Sequence, residues 1–217
     1  MAYMNIGIIG TGVVGQTLGT GLAAKGHAVK IGSRDPQSDK LQEWKTQAGP
    51  NASTGTLEEA AKFGDLVIVA TNWDGTENAL ELAGPDNLAG KVVIDTTNPL
   101  SFGASGPDLG VGFTDSAGEQ VQRYIPQARV VKALNIVSAF MMLDPDALGE
   151  TADMFIAGND AGAKQEVTAF LESFGWPVID LGGIQEARLL EALGMVWVKY
   201  YFNVRNEGRH AFKLIRQ

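Results

Sequence analysis

The chain has 217 residues, enough for one large domain or one and a half modest ones with a buried core. Its 17 Lys and Arg against 25 Asp and Glu give a net charge of −8, which argues against nucleic acid and an anionic membrane as partners. A small anion answers instead to a single cation or a helix end. With no cysteine and only two histidines, His27 and His210, disulfides, thiolate catalysis, zinc ribbons and a multi-histidine metal site are excluded, so redox or group-transfer chemistry must be brought by a cofactor.

The first residues lack a basic stretch, and no apolar run approaches the ~20 residues of a membrane helix. The expectation is a soluble, cytoplasmic protein. In chain order, 6–9 is a short apolar run ending in glycine, as in a buried parallel strand. Residues 13–25 read as a helix with Val14, Leu18 and Leu22 on one face, closed by Gly26, and 28–31 read as the second strand. Residues 39–45 predict a short polar helix carrying Leu41 and Trp44. Thr56-Leu57-Glu58-Glu59 fits a capping box for a helix ending near Phe63.

The run 66–70 is wholly apolar and predicts a central strand; 76–83 predicts a helix and 91–95 the next strand. Residues 101–118 are rich in Gly and Ser, without periodicity, and read as a long functional loop. Ser116-Ala117-Gly118-Glu119 is a second capping box, opening a helix to about Ile125, before a strand over 129–134. Later, 154–157 and 178–181 predict two more strands around a helix with Val167, Phe170, Leu171 and Phe174 at helical spacing. From about Glu186 the chain reads as helical to its end. Strands alternating with helices predict an α/β fold: a Rossmann-type, doubly wound, mostly parallel sheet, with residues 140–217 as a smaller C-terminal α/β extension to a unit over 1–139.

Gly10-Thr11-Gly12-Val13-Val14-Gly15 matches G-x-G-x-x-G. It follows an apolar strand, opens a helix and lies inside a strand-helix-strand unit, the context that gives the motif meaning. Gly10 allows the tight turn, Gly12 lets a pyrophosphate reach the backbone, and Gly15 lets helix press on strand. The helix N-terminus supplies N–H groups and partial positive charge. At the end of the second strand, where a carboxylate would bind the ribose 2′-hydroxyl of NAD, the chain reads Gly32-Ser33-Arg34-Asp35. A hydroxyl and a guanidinium suit the 2′-phosphate of NADP, with Lys40 as a second cation. The alternative for Arg34 is surface pairing with Asp35 or Asp39.

Asp65 and Asp95 flank strands and suit strand-edge hydrogen bonding better than paired acid–base catalysis. Lys132 reads as a structural ion pair ahead of a proton donor, and His27 as part of a solvated turn. Asn98-Pro99 ends a strand on the edge where open α/β sheets bind ligands, which weighs a place near the nicotinamide against a plain turn. Met141-Met142 and the run Trp197-Val198-Lys199-Tyr200-Tyr201-Phe202 read as core packing, or as a subunit interface or wall for a flat aromatic substrate, and a homodimer is expected.

The glycine turn, Ser33-Arg34, Asp95-Thr96-Thr97-Asn98-Pro99-Leu100 and Val130-Val131-Lys132-Ala133-Leu134-Asn135 together resemble the NADPH-dependent coenzyme F420 reductases and their relatives, including the cytosolic domain of membrane metalloreductases. The likeness covers most of the first 140 residues and extends to Ala187-Arg188-Leu189-Leu190-Glu191. It implies direct hydride transfer between nicotinamide and a stacked flavin-like ring, with the protein positioning both. By that resemblance Thr11, Gly12, Val13 and Val14 hold the pyrophosphate, Ser33 and Arg34 the 2′-phosphate, and Thr71-Asn72-Trp73 with Ala133 border the nicotinamide. The family often has an apolar or proline-containing segment where Thr71-Asn72-Trp73 stands, which leaves the acceptor open among a deazaflavin, a flavin and a metal chelate. The functional expectation is an NADP(H)-dependent oxidoreductase with a small-molecule redox acceptor. The alternative is a non-catalytic NADP(H)-binding redox sensor or regulatory protein.

Overall fold

Strand β1 (Asn5–Ile9) runs into helix α1 (Val13–Ala24), and the chain returns as β2 (Ala28–Ser33). The computed structural model describes residues 3–103, 106–204 and 207–215. After β2 come α2 (Asp39–Ala48), β3 (Ala52–Thr56), α3 (Leu57–Phe63), β4 (Leu66–Val69), α4 (Thr76–Ala83), β5 (Val92–Asp95), β6 (Leu100–Gly103), β7 (Gly106–Leu109), α5 (Ala117–Tyr124) and β8 (Arg129–Lys132). The last elements are β9 (Met154–Gly158), α6 (Ala161–Glu172), β10 (Val178–Asp180) and α7 (Ala187–Val204). Among the described residues they form one eight-stranded sheet, β10-β9-β8-β5-β4-β1-β2-β3, and a separate β6-β7 pair. From β3 to β8 the pairing is parallel, and the order is that of a doubly wound dinucleotide-binding sheet. β9 joins β8 antiparallel, with Lys132 opposite Ala157, and β10 lies parallel to β9, so residues beyond 140 extend the same sheet.

Alternation along the strands builds a core on each face of the sheet. Ile6, Ile8, Val29, Ile31, Ile68 and Ile94 meet Leu18 and Leu22 of α1, Trp44 of α2 and Phe170 of α6. Ile9, Val67, Val69 and Val93 point the other way, onto Ala60 of α3, Leu80 of α4 and Val121 of α5. Each such fully buried aliphatic side chain contributes ~1.5–3 kcal/mol of transfer free energy. Trp44 fixes α2 against α1: its ring lies where a Gly19 side chain would stand, and its Nε1–H donates to the Gln16 carbonyl at 3.1 Å and the Thr20 hydroxyl at 3.0 Å.

Four expectations change. β3 was not anticipated, because Ala52-Ser53-Thr54-Gly55-Thr56 has no apolar period; it is an edge strand held by its backbone ladder to β2. The 101–118 segment begins with the β6-β7 hairpin, Leu100 opposite Leu109 and Phe102 opposite Pro107; Ala104 and Ser105 lie outside the described residues. The terminal helix stops at Val204, and 207–215 are not helical, while the expectation for 205–206 and 216–217 lies outside the described residues. There the chain turns at Glu207 and Gly208, both at positive φ, and folds back so that Asp153 N–H donates to the Phe212 carbonyl and Leu214 N–H to the Asp153 carboxylate. Finally, His27 is buried, because its Nδ1 accepts the Met4 N–H at 3.3 Å and its ring leans on Phe170. The first capping box forms in full, Thr56 with Glu59. At the second, Ser116 Oγ accepts the Glu119 N–H, but the Glu119 carboxylate takes the Ser116 hydroxyl instead of its backbone N–H, so only half of that box forms.

Candidate functional site

The carboxyl ends of β1 and β4 meet at the topological switch of the sheet, where chains leave toward opposite faces and open a crevice. Gly10 turns there at φ +130°, and a Cβ on it would lie 2.3 Å from the Ala70 carbonyl oxygen, so only glycine fits between β1 and β4. Gln16 Nε2–H donates to the Thr11 carbonyl at 3.0 Å and pins the turn. Gly12 caps α1 without any side-chain cap, the first turn holds no acidic residue, and no atom lies within 4 Å of where a Gly12 Cβ would be. A helix N-terminus left uncapped beside open space is suited to an anion. Gly15 is buried by its own close contact with Gly10, Val14 is half-buried on the core, and the Val13 side chain points to solvent, so these two valines offer backbone rather than side chains.

A cleft of about 560 Å³ opens from this turn. Gly10, Thr11, Gly12, Ser33, Arg34, Thr71 and Asn72 all line it, so three separate loops of the sequence reading converge. Ser33 ends β2 and its hydroxyl accepts the Asp35 N–H at 3.0 Å, which holds the turn that presents Arg34. Arg34 is exposed, and among the described residues it makes no ion pair with Asp35 or Asp39. Lys40 stands exposed on α2 and is not part of the cleft wall. Gly32, ahead of Ser33, lets β2 approach α3: a Cβ there would meet Ala60 at 2.9 Å. The donor set, an uncapped helix end plus a hydroxyl and a free guanidinium, fits the pyrophosphate and 2′-phosphate of NADP.

After β4 the Thr71 and Thr76 hydroxyls share a hydrogen bond of 2.8 Å, and Thr76 also donates to the Asn72 carbonyl, so the segment enters α4 in one conformation. Trp73 packs half-buried against the α3–α4 core face and is absent from the cleft wall. Ala133 and Pro99 are buried, and Asn98 is half-buried with its Nδ2–H donated to the Asn135 carbonyl at 2.7 Å. These last three sit together at the carboxyl ends of β5 and β8, beyond the cleft wall.

Behind them lies a buried ionic cluster. Lys132 Nζ is 2.9 Å from Asp95 Oδ2 and 2.9 Å from Glu191 Oε1, and also donates to the Thr97 carbonyl. Asp95 Oδ1 accepts the Thr97 N–H and hydroxyl; Glu191 accepts the Ala117 and Gly118 N–H groups at the start of α5. Burial works against the Lys132 ammonium, but Asp95 and Glu191 outweigh it and raise its pKa; burial pushes the Glu191 carboxyl up against the pull of Lys132 and the α5 amides. The α5 N-terminus, whose first amides Glu191 accepts, turns its positive end toward the cluster. The sequence reading paired Lys132 but did not name Glu191 as its partner. A glutamate within the apolar run Leu189-Leu190-Glu191-Ala192-Leu193 was the available signal.

The sequence model for NADP oxidoreductases described as coenzyme F420-dependent matches residues 5–99. A crystal structure assigned as an F420-dependent NADP reductase from Arthrobacter sp. FB24 superposes with a TM-score of 0.92 at 40% identity, covering 98% of this chain and 100% of that one. The F420-dependent NADP reductase of Methanothermobacter marburgensis is 28% identical over 221 residues, 96% of each chain. Metalloreductase STEAP3 of Rattus norvegicus is 29% identical over 191 residues, 87% of this chain but 36% of that protein, so the chain spans about a third of that relative's length. Among the described residues no helix is long and apolar enough to cross a membrane.

Proposed function

Because the chain belongs to the coenzyme F420-dependent NADP oxidoreductase family, we propose that it moves hydride between NADP(H) and a flavin-like ring, a deazaflavin or flavin. The observation that carries this is the convergence of the uncapped Gly12 helix end and the unpaired Arg34 on one cleft. Bound NADPH supplies the hydride; this chain binds, orients and shields. The Gly12–Val14 backbone holds the pyrophosphate, Ser33 and Arg34 hold the 2′-phosphate, and the carboxyl ends of β4, β5 and β8 receive the nicotinamide. Direct hydride transfer needs the two rings held in stacked contact and no side-chain acid or base.

The cofactor function is assigned to residues 1–139, and residues 140–217 form the smaller C-terminal extension. α7 exposes Leu189, Val196 and Tyr200 at 61, 57 and 46%, at helical spacing and without a charge among them. On a chain of net charge −8 such a stripe suits a second copy meeting it about a two-fold axis, so a homodimer in the cytoplasm is part of the proposal.

The test is to mix the purified protein and NADPH with a deazaflavin, FMN, FAD or a ferric chelate and follow the nicotinamide absorbance. Oxidation faster than the protein-free control with a flavin-type ring supports the proposal. Turnover of ferric chelate alone moves the acceptor to metal chelates, and tight NADPH binding with no turnover moves the protein to a redox sensor.

A further inference from the structure

Residues 132–138 carry an unusual concentration of local costs. Lys132 is a fully buried ammonium; Leu134, also fully buried, holds φ at +64°, a left-handed conformation that disfavours a branched side chain; Asn135 Oδ1 and Ser138 Oγ are buried without a hydrogen-bond partner among the described residues. Strain and unmet polar groups persist where the surroundings over-determine them, and they gather at functional turns. Here the surroundings are a two-part clasp on α7. The Lys132–Glu191 pair is one part. The other is Asn135, whose Nδ2–H groups go to Asn98 Oδ1 and the Leu190 carbonyl, both at 3.0 Å, while Gly194 lets α7 press on this pair: a Cβ there would lie 2.7 Å from Asn98 Oδ1.

The clasp is linked to the cleft by a short chain of bonds. Ala133 N–H donates to the Asp95 carbonyl, and Thr96 donates to the Val69 carbonyl through its N–H at 3.1 Å and its hydroxyl at 2.9 Å. Val69 is followed directly by Ala70 and Thr71, which line the cleft. Replacing a buried ionic cluster with apolar groups is often neutral for stability, so stability alone gives little reason for one here.

We propose that Lys132 and Glu191 are positioning residues for the nicotinamide half of the cofactor: their ion pair locks the strained Leu134 turn and the β5 end against α7, and so shapes the surface that receives the ring. The inference rests on the NADP reading above. It goes beyond it by separating the two halves of the cofactor: the glycine turn and Arg34 serve the adenosine half, the buried clasp the other.

The test compares calorimetric binding of NADPH and of 2′,5′-ADP, which carries the adenosine and 2′-phosphate but no nicotinamide, in the wild type, Glu191→Gln and Lys132→Met. Both variants are expected to bind 2′,5′-ADP within about twofold of wild type and NADPH about fivefold or more weakly. Parallel loss of both ligands, or no change in either, overturns the proposal, the first result meaning that the clasp merely supports the fold. If Lys132→Met does not fold, because it strands two buried carboxylates, Glu191→Gln decides alone. A wild type that binds neither ligand refutes the NADP reading itself, and the two failures are therefore distinct.

Discussion

A Cβ on Gly15 would stand 2.3 Å from the carbonyl oxygen of Gly10, so the first turn of α1 is pressed onto the end of β1 with no room for a methyl group. Gly12, three residues earlier, faces open space. The two glycines should therefore fail differently. Gly15→Ala forces backbone apart and is expected to lower stability by ~1–3 kcal/mol, read as a lower Tm with or without cofactor. Gly12→Ala should leave the apo Tm almost unchanged but weaken NADPH, because the methyl group occupies the approach to the α1 amides. A Gly12→Ala protein that binds NADPH as the wild type does would remove the pyrophosphate from this turn.

Arg34 lines the cleft and, among the described residues, makes no ion pair, so its charge is available to a ligand. Arg34→Ala is expected to weaken NADPH by roughly ten- to a hundredfold, the worth of one charge-assisted hydrogen bond, and to leave NADH nearly unaffected. Calorimetry with both dinucleotides reads the difference. A uniform loss would mean that the residue supports the Ser33–Asp35 turn rather than the 2′-phosphate.

The half of the cleft built from the glycine turn and Ser33-Arg34 was legible because its signals are local. Three glycines at fixed spacing behind an apolar strand imply a strand-turn-helix, and Ser33-Arg34 falls where β2 must end. The other half was not, because its contacts are remote in sequence. Lys132, Asp95 and Glu191 come from β8, β5 and α7, and only the folded sheet brings them together. Leu134 is among the residue types least expected at positive φ, so nothing in its identity announces the turn. Trp73 is a comparable case: the family resemblance set it beside the nicotinamide with Thr71 and Asn72, but its half-buried side chain packs against the core cluster and does not line the cleft. Edge strand β3 was invisible because a backbone ladder needs no apolar period.

The α7 stripe makes the oligomeric state measurable. Val196 lies between Leu189 and Tyr200 on the exposed row, and a carboxylate there would face its own copy across a two-fold axis. Val196→Glu is expected to turn a dimer into a monomer in sedimentation, and the loss of that association should lower Tm modestly. Wild type sedimenting as a monomer at micromolar concentration would end the dimer proposal.

His27 gives the fold a pH dependence near neutrality. Burial above all lowers its pKa below 6.5, and the neutral ring accepts the Met4 N–H at Nδ1, a bond that protonation destroys. The unfolded chain therefore takes up a proton at a higher pH than the folded one, so this stabilisation is whole above pH 6.5 and is lost as pH falls through the depressed folded-state value. A second loss follows lower down, where Glu119, held down first by its hydrogen bonds to Arg188, and Asp115, held down by Arg123, take up protons; both carboxyls are depressed, so their contribution goes as pH drops below the ordinary carboxylate range. In His27→Asn the side-chain oxygen can still accept the Met4 N–H but cannot titrate, and it gives up the ring contact with Phe170. The variant is expected to have a lower Tm than the wild type at about pH 7.5, yet a smaller drop in Tm between there and about pH 5. Equal drops in the two proteins would assign the near-neutral loss to some other group, while the acid limb from Glu119 and Asp115 should be the same in both.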